Sequence, residues 1–97
     1  MTIEELKAIF GMTIHELIEM IKLRGEALEY DILSLPKDKY CERANILFED
    51  RCFVICEVLD NYEDICHYED IALFENEFEA RIYYDNLVTR LKGEVYE

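Results

Sequence analysis

Glycine is scarce in this sequence and scattered, at positions 11, 25 and 93, so no glycine-rich loop of the kind that cradles a phosphate can form. There is a single serine, Ser34, followed by Leu35 and Pro36 with no flanking glycine, which excludes the tight elbow that exposes a serine nucleophile. No stretch approaches the roughly 18 apolar residues of a membrane span. The first ten residues alternate acids with apolar side chains, unlike a secretory leader. These absences point to a soluble, intracellular, cytoplasmic protein. The most lopsided absence is of positive charge. Between Arg51 and Arg81 there is no Lys or Arg, while Glu57, Asp60, Glu63, Asp64, Glu69, Asp70, Glu75, Glu77 and Glu79 all fall there, so most of the net charge of −13 comes from one central stretch.

What is present suits a packed globule. The 97 residues make one domain, 1–97, with 52% hydrophobic residues spread evenly as Ile, Leu, Val, Phe and Tyr. A chain of this size buries roughly 60 to 70% of the surface it exposes when unfolded. Cys41, Cys52, Cys56 and Cys66 are even in number, but with no secretory signal, and with two of them inside apolar runs, they read as buried thiols.

Thr2 with Glu5 is a capping-box pattern, and Ile3, Leu6, Ile9 and Phe10 then share a helical face as far as Gly11. A second box, Thr13 with Glu16, opens a segment whose apolar positions Ile14, Leu17, Ile18, Ile21, Leu28, Ile32 and Leu35 keep helical phase to Pro36. Gly25 lies on that stripe, and either admits another backbone closely or marks a break before a separate element from Glu26 to Leu33. Residues 37–51 fit a helix or a strand entering a turn at Glu49 and Asp50, with the strand preferred. Cys52 to Leu59 is β-branched, aromatic and short, as a central strand is. Asp60 and Asn61 supply a turn, and Asp64 to Phe74 reads as a second strand on which adjacent Glu69 and Asp70 mark a bulge or an exposed edge. Asn76 and Glu79 cap a last helix with a stripe of Ala80, Tyr84, Leu87, Val88 and Leu91, and with Arg90 and Lys92 before Gly93 ends it. The expected fold is α+β: two N-terminal helices, a small two- or three-stranded antiparallel sheet, and a C-terminal helix, with helices covering one face of the sheet.

Specific chemistry is hard to place on this frame. A zinc site from Cys52, Cys56, Cys66 and His67 fails because residues four apart on a strand are about 13 Å apart. A twelve-residue calcium loop counted from Asp60 puts Ile65 where glycine is needed and Ile71 where a bidentate Glu belongs. No metal and no cofactor is expected. Adjacent Cys66 and His67 would point to opposite strand faces, so no thiol–imidazole pair forms, and the chain does not read as an enzyme. Leu6 to Ile21 has the small residue, turn glycine and apolar anchors of a helix-turn-helix, but its second helix carries Glu16 and Glu19 against Lys22 alone, the wrong charge for phosphates. Direct nucleic-acid binding is not expected.

What remains is recognition of a protein by an acidic surface. Residues two apart on a strand lie about 6.6 Å from each other and DNA advances about 3.4 Å per nucleotide, so strand-borne carboxylates can imitate a phosphate row. The candidate partner-binding residues are Asp60, Tyr62, Glu63, Asp64, Tyr68, Glu69, Asp70, Glu75 and Glu77, with the two tyrosines as rim anchors. In size, charge and element pattern the chain resembles the small acidic inhibitors of phages and mobile elements, including anti-CRISPR proteins, and bacterial toxin-immunity proteins. That resemblance implies one tight basic partner, a nuclease or other nucleic-acid enzyme, blocked by occupation of its basic channel. The alternative is a non-catalytic oligomeric module, possible homodimer included, using the Ile14 to Leu35 helix as an apolar seam.

Overall fold

A computed structural model describes residues 2–63 and 65–95, with side chains as far as Leu87. Three helices and four strands follow in the order α1 (Ile3–Phe10), α2 (Ile14–Arg24), β1 (Glu26–Leu35), β2 (Lys39–Phe48), β3 (Arg51–Asp60), β4 (Cys66–Phe74) and α3 (Glu77–Val95). The strands form one antiparallel meander in chain order. The fold is α+β as the sequence suggests, with one strand more than expected.

The extra strand comes from the segment read as the second half of a long helix. Helix α2 starts at a complete capping box between Thr13 and Glu16 and stops at Arg24, and residues 26–35 pair with β2 instead of continuing it. The Ile14 to Leu35 helix therefore does not exist, and the apolar seam proposed on it has no geometry. Positions 28, 32 and 35 fit a 3.6-residue period, but Leu33 and Leu35 also alternate with Ile32 and Ser34 at period two, and pairing with β2 decides the ambiguity. Gly25 serves both roles open to it: a Cβ there would strike the Ile46 side chain and lie 2.8 Å from the Ile21 carbonyl and 3.0 Å from that of Leu47.

Strand β3 fixes the layering. Its residues Cys52 to Val58 are all buried, so both faces of the sheet are covered. Phe53 and Ile55 pack with Ala44, Ile46 and Ile71 under Leu6, Leu17, Ile18 and Ile21 of α1 and α2. Cys52, Val54, Cys56 and Val58 pack with Cys41 under Ala80, Tyr84 and Leu87 of α3. Helices thus lie on opposite faces, α3 alone on one, rather than all on the same side. Helix α3 begins at the Asn76 cap, whose side chain accepts the Glu79 N–H at 2.8 Å, and runs to Val95, past Gly93. Val88, Leu91, Arg90 and Lys92 lie outside the described side chains.

The Arg43 guanidinium anchors α3. It forms two hydrogen bonds to Asp31, at 2.6 and 2.8 Å, donates to the Tyr84 carbonyl at 2.7 Å and lies 4.1 Å from the Tyr84 ring centroid. The Tyr84 hydroxyl donates to Asp31, closing the set. The Arg43 hydrogen bonds hold the Asp31 carboxyl below its usual range, while burial pushes Tyr84 up to about 12.

The tight turns are backbone-strained. Glu49 and Asp50, the two-residue link between β2 and β3, both sit in the left-handed region, at φ 53 and 60. Such turns favour Asn-Gly because a Cβ atom disfavours that conformation and glycine has none. Two opposite outcomes are expected in urea unfolding: Gly25→Ala loses about 1 to 3 kcal/mol through overpacking, and Asp50→Gly gains about 0.5 to 1 kcal/mol.

Candidate functional site

The hairpin register brings three carboxylates into one row. Glu42 pairs directly with Glu57 and Glu57 with Glu69, across β2, β3 and β4, on the face covered by α2. Directly opposed residues have Cβ atoms about 4.5 to 5.5 Å apart, where like charges destabilise a sheet. Helix α2 answers the row. The Lys22 ammonium donates to Glu57 at 2.8 Å and to Glu42 at 3.3 Å, and His15 Nδ1 lies 3.2 Å from Glu69. Lys22 and His15 are two turns apart, about 10 Å along the helix, which matches two inter-strand spacings of about 4.8 Å. One helix can therefore deliver a cation to each end of the row.

Glu57 is only 5% exposed, so its charge depends on Lys22. Burial acts to lower the Lys22 pKa, but the hydrogen bond and charge of Glu57, reinforced by Glu42, outweigh it and hold the ammonium protonated above the ordinary lysine range. The hydrogen bond and charge of Glu69 raise the His15 pKa above 6.5. That ion pair stabilises the fold below pH 6.5 and its contribution is lost as pH rises through the raised native value.

Cys66 joins this cluster because the register slips by one residue between Val58 and Leu59, a bulge that turns Cys66 to the same side as Glu69. The Cys66 thiol and the Glu57 and Glu69 carboxylates lie within 4.8 Å of one another. Among the described residues these three, rather than the cysteine and histidine set considered from sequence, are the donors that converge, and Lys22 already supplies positive charge beside Glu57. Cys52 and Cys56 belong to the other face, where Cys56 meets Cys41 at 3.6 Å between sulfurs. Separate from the row, an apolar cleft of about 240 Å³ opens between Leu6, Phe10, Phe48 and Phe53, with Arg51 among its lining residues.

The residues proposed from sequence are distributed along β4 rather than gathered in a patch. Asp60 lies 3.4 Å from His67 at the β3–β4 turn, where Tyr62, 81% exposed, and Glu63 project. Asp64 lies outside the described residues. Glu69 faces α2 and its neighbour Asp70 faces α3, where it accepts the Tyr83 hydroxyl at 3.2 Å; Tyr68 alternates to that side too. Glu75 and Glu77 lie past the far end of the strand, about 26 Å from Cys66, against Arg51 at 3.2 Å and Arg81 at 2.8 Å. Sequence reading missed Glu42, Glu57, Lys22 and His15 as one constellation. The signal was present, because a two-residue turn at Glu49 and Asp50 sets position 42 opposite 57.

Comparison with known protein families, characterised proteins and solved structures gives no match. No described helix is long and apolar enough to cross a membrane.

Lys22→Met is expected to destabilise the protein by on the order of 3 kcal/mol, by stranding Glu57 between two other carboxylates, while the double variant Lys22→Met/Glu57→Leu recovers most of that loss. Equilibrium denaturation of the two variants checks this. An NMR titration is expected to place the His15 pKa above 6.5, falling toward that value in Glu69→Gln.

Proposed function

We propose that this chain is a non-catalytic, protein-binding inhibitor that occludes a basic, nucleic-acid-binding surface of its partner, of the anti-CRISPR or nuclease-immunity type. The observation that carries the reading is the charge of a single continuous piece of fold. From the middle of β3, through its turn and along the edge strand β4 to the first turn of α3, the chain supplies acids and no Lys or Arg. Among the described residues, the bases shown against these acids are Arg51 and Arg81 at its boundaries, Lys22 and His15 from α2, and His67 within it. The stretch holds nine acids, and of these Glu63, Glu75, Glu77 and Glu79 are exposed. A field of one sign steers a basic partner to the surface, raises the association rate and weakens with salt. Exposed Tyr62 and Tyr68 at one end offer aromatic contact area beside the charge. The partner class is a nuclease or another nucleic-acid-binding protein, and contact with nucleic acid itself is opposed by the same field.

The test is competition. Proteins from the native host retained on the immobilised chain are expected to be released by duplex DNA and by raised salt, and not to be retained by the triple variant Glu63→Lys/Glu69→Lys/Asp70→Lys once circular dichroism shows it folded. Retention that survives the charge reversal, or that DNA does not disturb, refutes the reading.

A further inference from the structure

Strand β1 forms the first edge of the meander and, among the described residues, is paired with β2 alone. The outward row of backbone donors and acceptors on such an edge is a template for a further strand, and natural proteins blunt it with lysine, proline or bulges. No lysine or proline lies within Glu26–Leu35, the one register shift falls between Ala27 and Glu29, and Pro36 follows directly. A regular stretch from Glu29 to Leu35 is therefore bounded by the shift at one end and by proline at the other. Its acids are answered from within the fold. Arg43 forks onto Asp31 at 2.6 and 2.8 Å, and Arg81 lies 3.6 Å from Glu29. On the face that carries α1 and α2, Tyr30 and Ile32 pair with Ala44 and Glu42 yet stay 52% and 56% exposed, and Ser34 beside them is exposed too. This edge combines open backbone, uncovered apolar side chains and carboxylates that already have cations.

We infer that β1 pairs antiparallel with β1 of a second copy of this chain, about a two-fold axis through Ile32, joining the two four-stranded sheets into one. A copy is the occupant because the stretch is complementary to itself. Ile32 is the centre of Glu29 to Leu35, so this axis sets Ile32 opposite its equivalent, Tyr30 opposite Ser34, Asp31 opposite Leu33 and Glu29 opposite Leu35, and no acid faces an acid. An axis at Asp31 would set that carboxylate against its equivalent, and one at Tyr30 would set Glu29 against Asp31, pairings that like-charge repulsion disfavours. Each copy carries a net charge of −13, so the pair tightens as salt screens the repulsion. That is the opposite salt response to the proposed inhibitor contact, and the pairing does not depend on the basic partner.

Sedimentation equilibrium of the full chain across a sodium chloride series is the test. A monomer–dimer equilibrium is expected, with a dissociation constant that falls roughly fivefold or more between about 0.01 and 0.15 M salt. Ile32→Lys sets two ammonium groups against each other on the axis and, lying at an exposed position opposite Glu42, leaves the circular dichroism spectrum unchanged; it is expected to be monomeric throughout. Ser34→Val, which gives Tyr30 of the other copy an apolar neighbour, is expected to tighten the dimer, while Ile82→Lys at an exposed position on α3 keeps it. In the ¹⁵N-labelled chain, exchange at alternate amides between Glu29 and Leu35 is expected to slow roughly tenfold or more as protein concentration rises, with β4 amides unchanged. A chain that stays monomeric in high salt, a dimer that survives Ile32→Lys, or a dimer that protects β4 rather than β1 overturns the inference.

Discussion

The ammonium of Lys22, set between Glu57 and Glu42, is the contact that lets the acidic half of the chain join the rest. Strand pairing alone would bring Glu42, Glu57 and Glu69 side by side, and each opposed pair would push its strands apart. Apolar burial by Ile55 and Ile71 favours the same register, but cannot remove that repulsion locally. The helix above supplies the missing charge because its start is fixed: the Thr13 and Glu16 capping box sets where α2 begins, and hence where His15 and Lys22 fall along it. A cap at one end of a helix thereby determines electrostatics three strands wide.

The two faces of the sheet hold their helices by different chemistry, and the choice of cation fits each. Beneath α2 a compact, flexible ammonium is shared between carboxylates on neighbouring strands. Beneath α3 a planar guanidinium forks onto Asp31, caps a helix carbonyl and stacks on Tyr84, which a lysine could not reproduce. Both cations come from the first half of the chain and are consumed internally. Lys22 is committed to Glu42 and Glu57 and Arg43 to Asp31, so two of the chain's ten bases are held within the fold.

Much of this was legible in the residues. The three N-terminal cap patterns, at Thr2, Thr13 and Asn76, each start a helix, because capping is a local hydrogen bond that spacing alone reveals. The β3 core strand was legible from its apolar run, interrupted at Glu57. Residues 26–35 were not, since Leu28, Ile32 and Leu35 keep helical phase while Leu33 and Leu35 alternate at period two, and only a neighbouring strand resolves them. The Gly25 collision with Ile46 is likewise a fact of tertiary approach. The acid row stayed hidden for a related reason. Its members lie 15 and 12 residues apart in sequence and meet through hairpin register, and the bulge beside His67 shifts Cys66 to a face that simple alternation denies it.

The open edge of the sheet is a second place where the acids matter. Strand β4 carries neither lysine nor proline, the usual guards of an exposed edge. Glu69 and Asp70 instead put one carboxylate on each face of that strand, so a second copy paired there edge to edge would bring the same acids to the same edge, and would need cations to answer them as Lys22 answers Glu57 within the sheet.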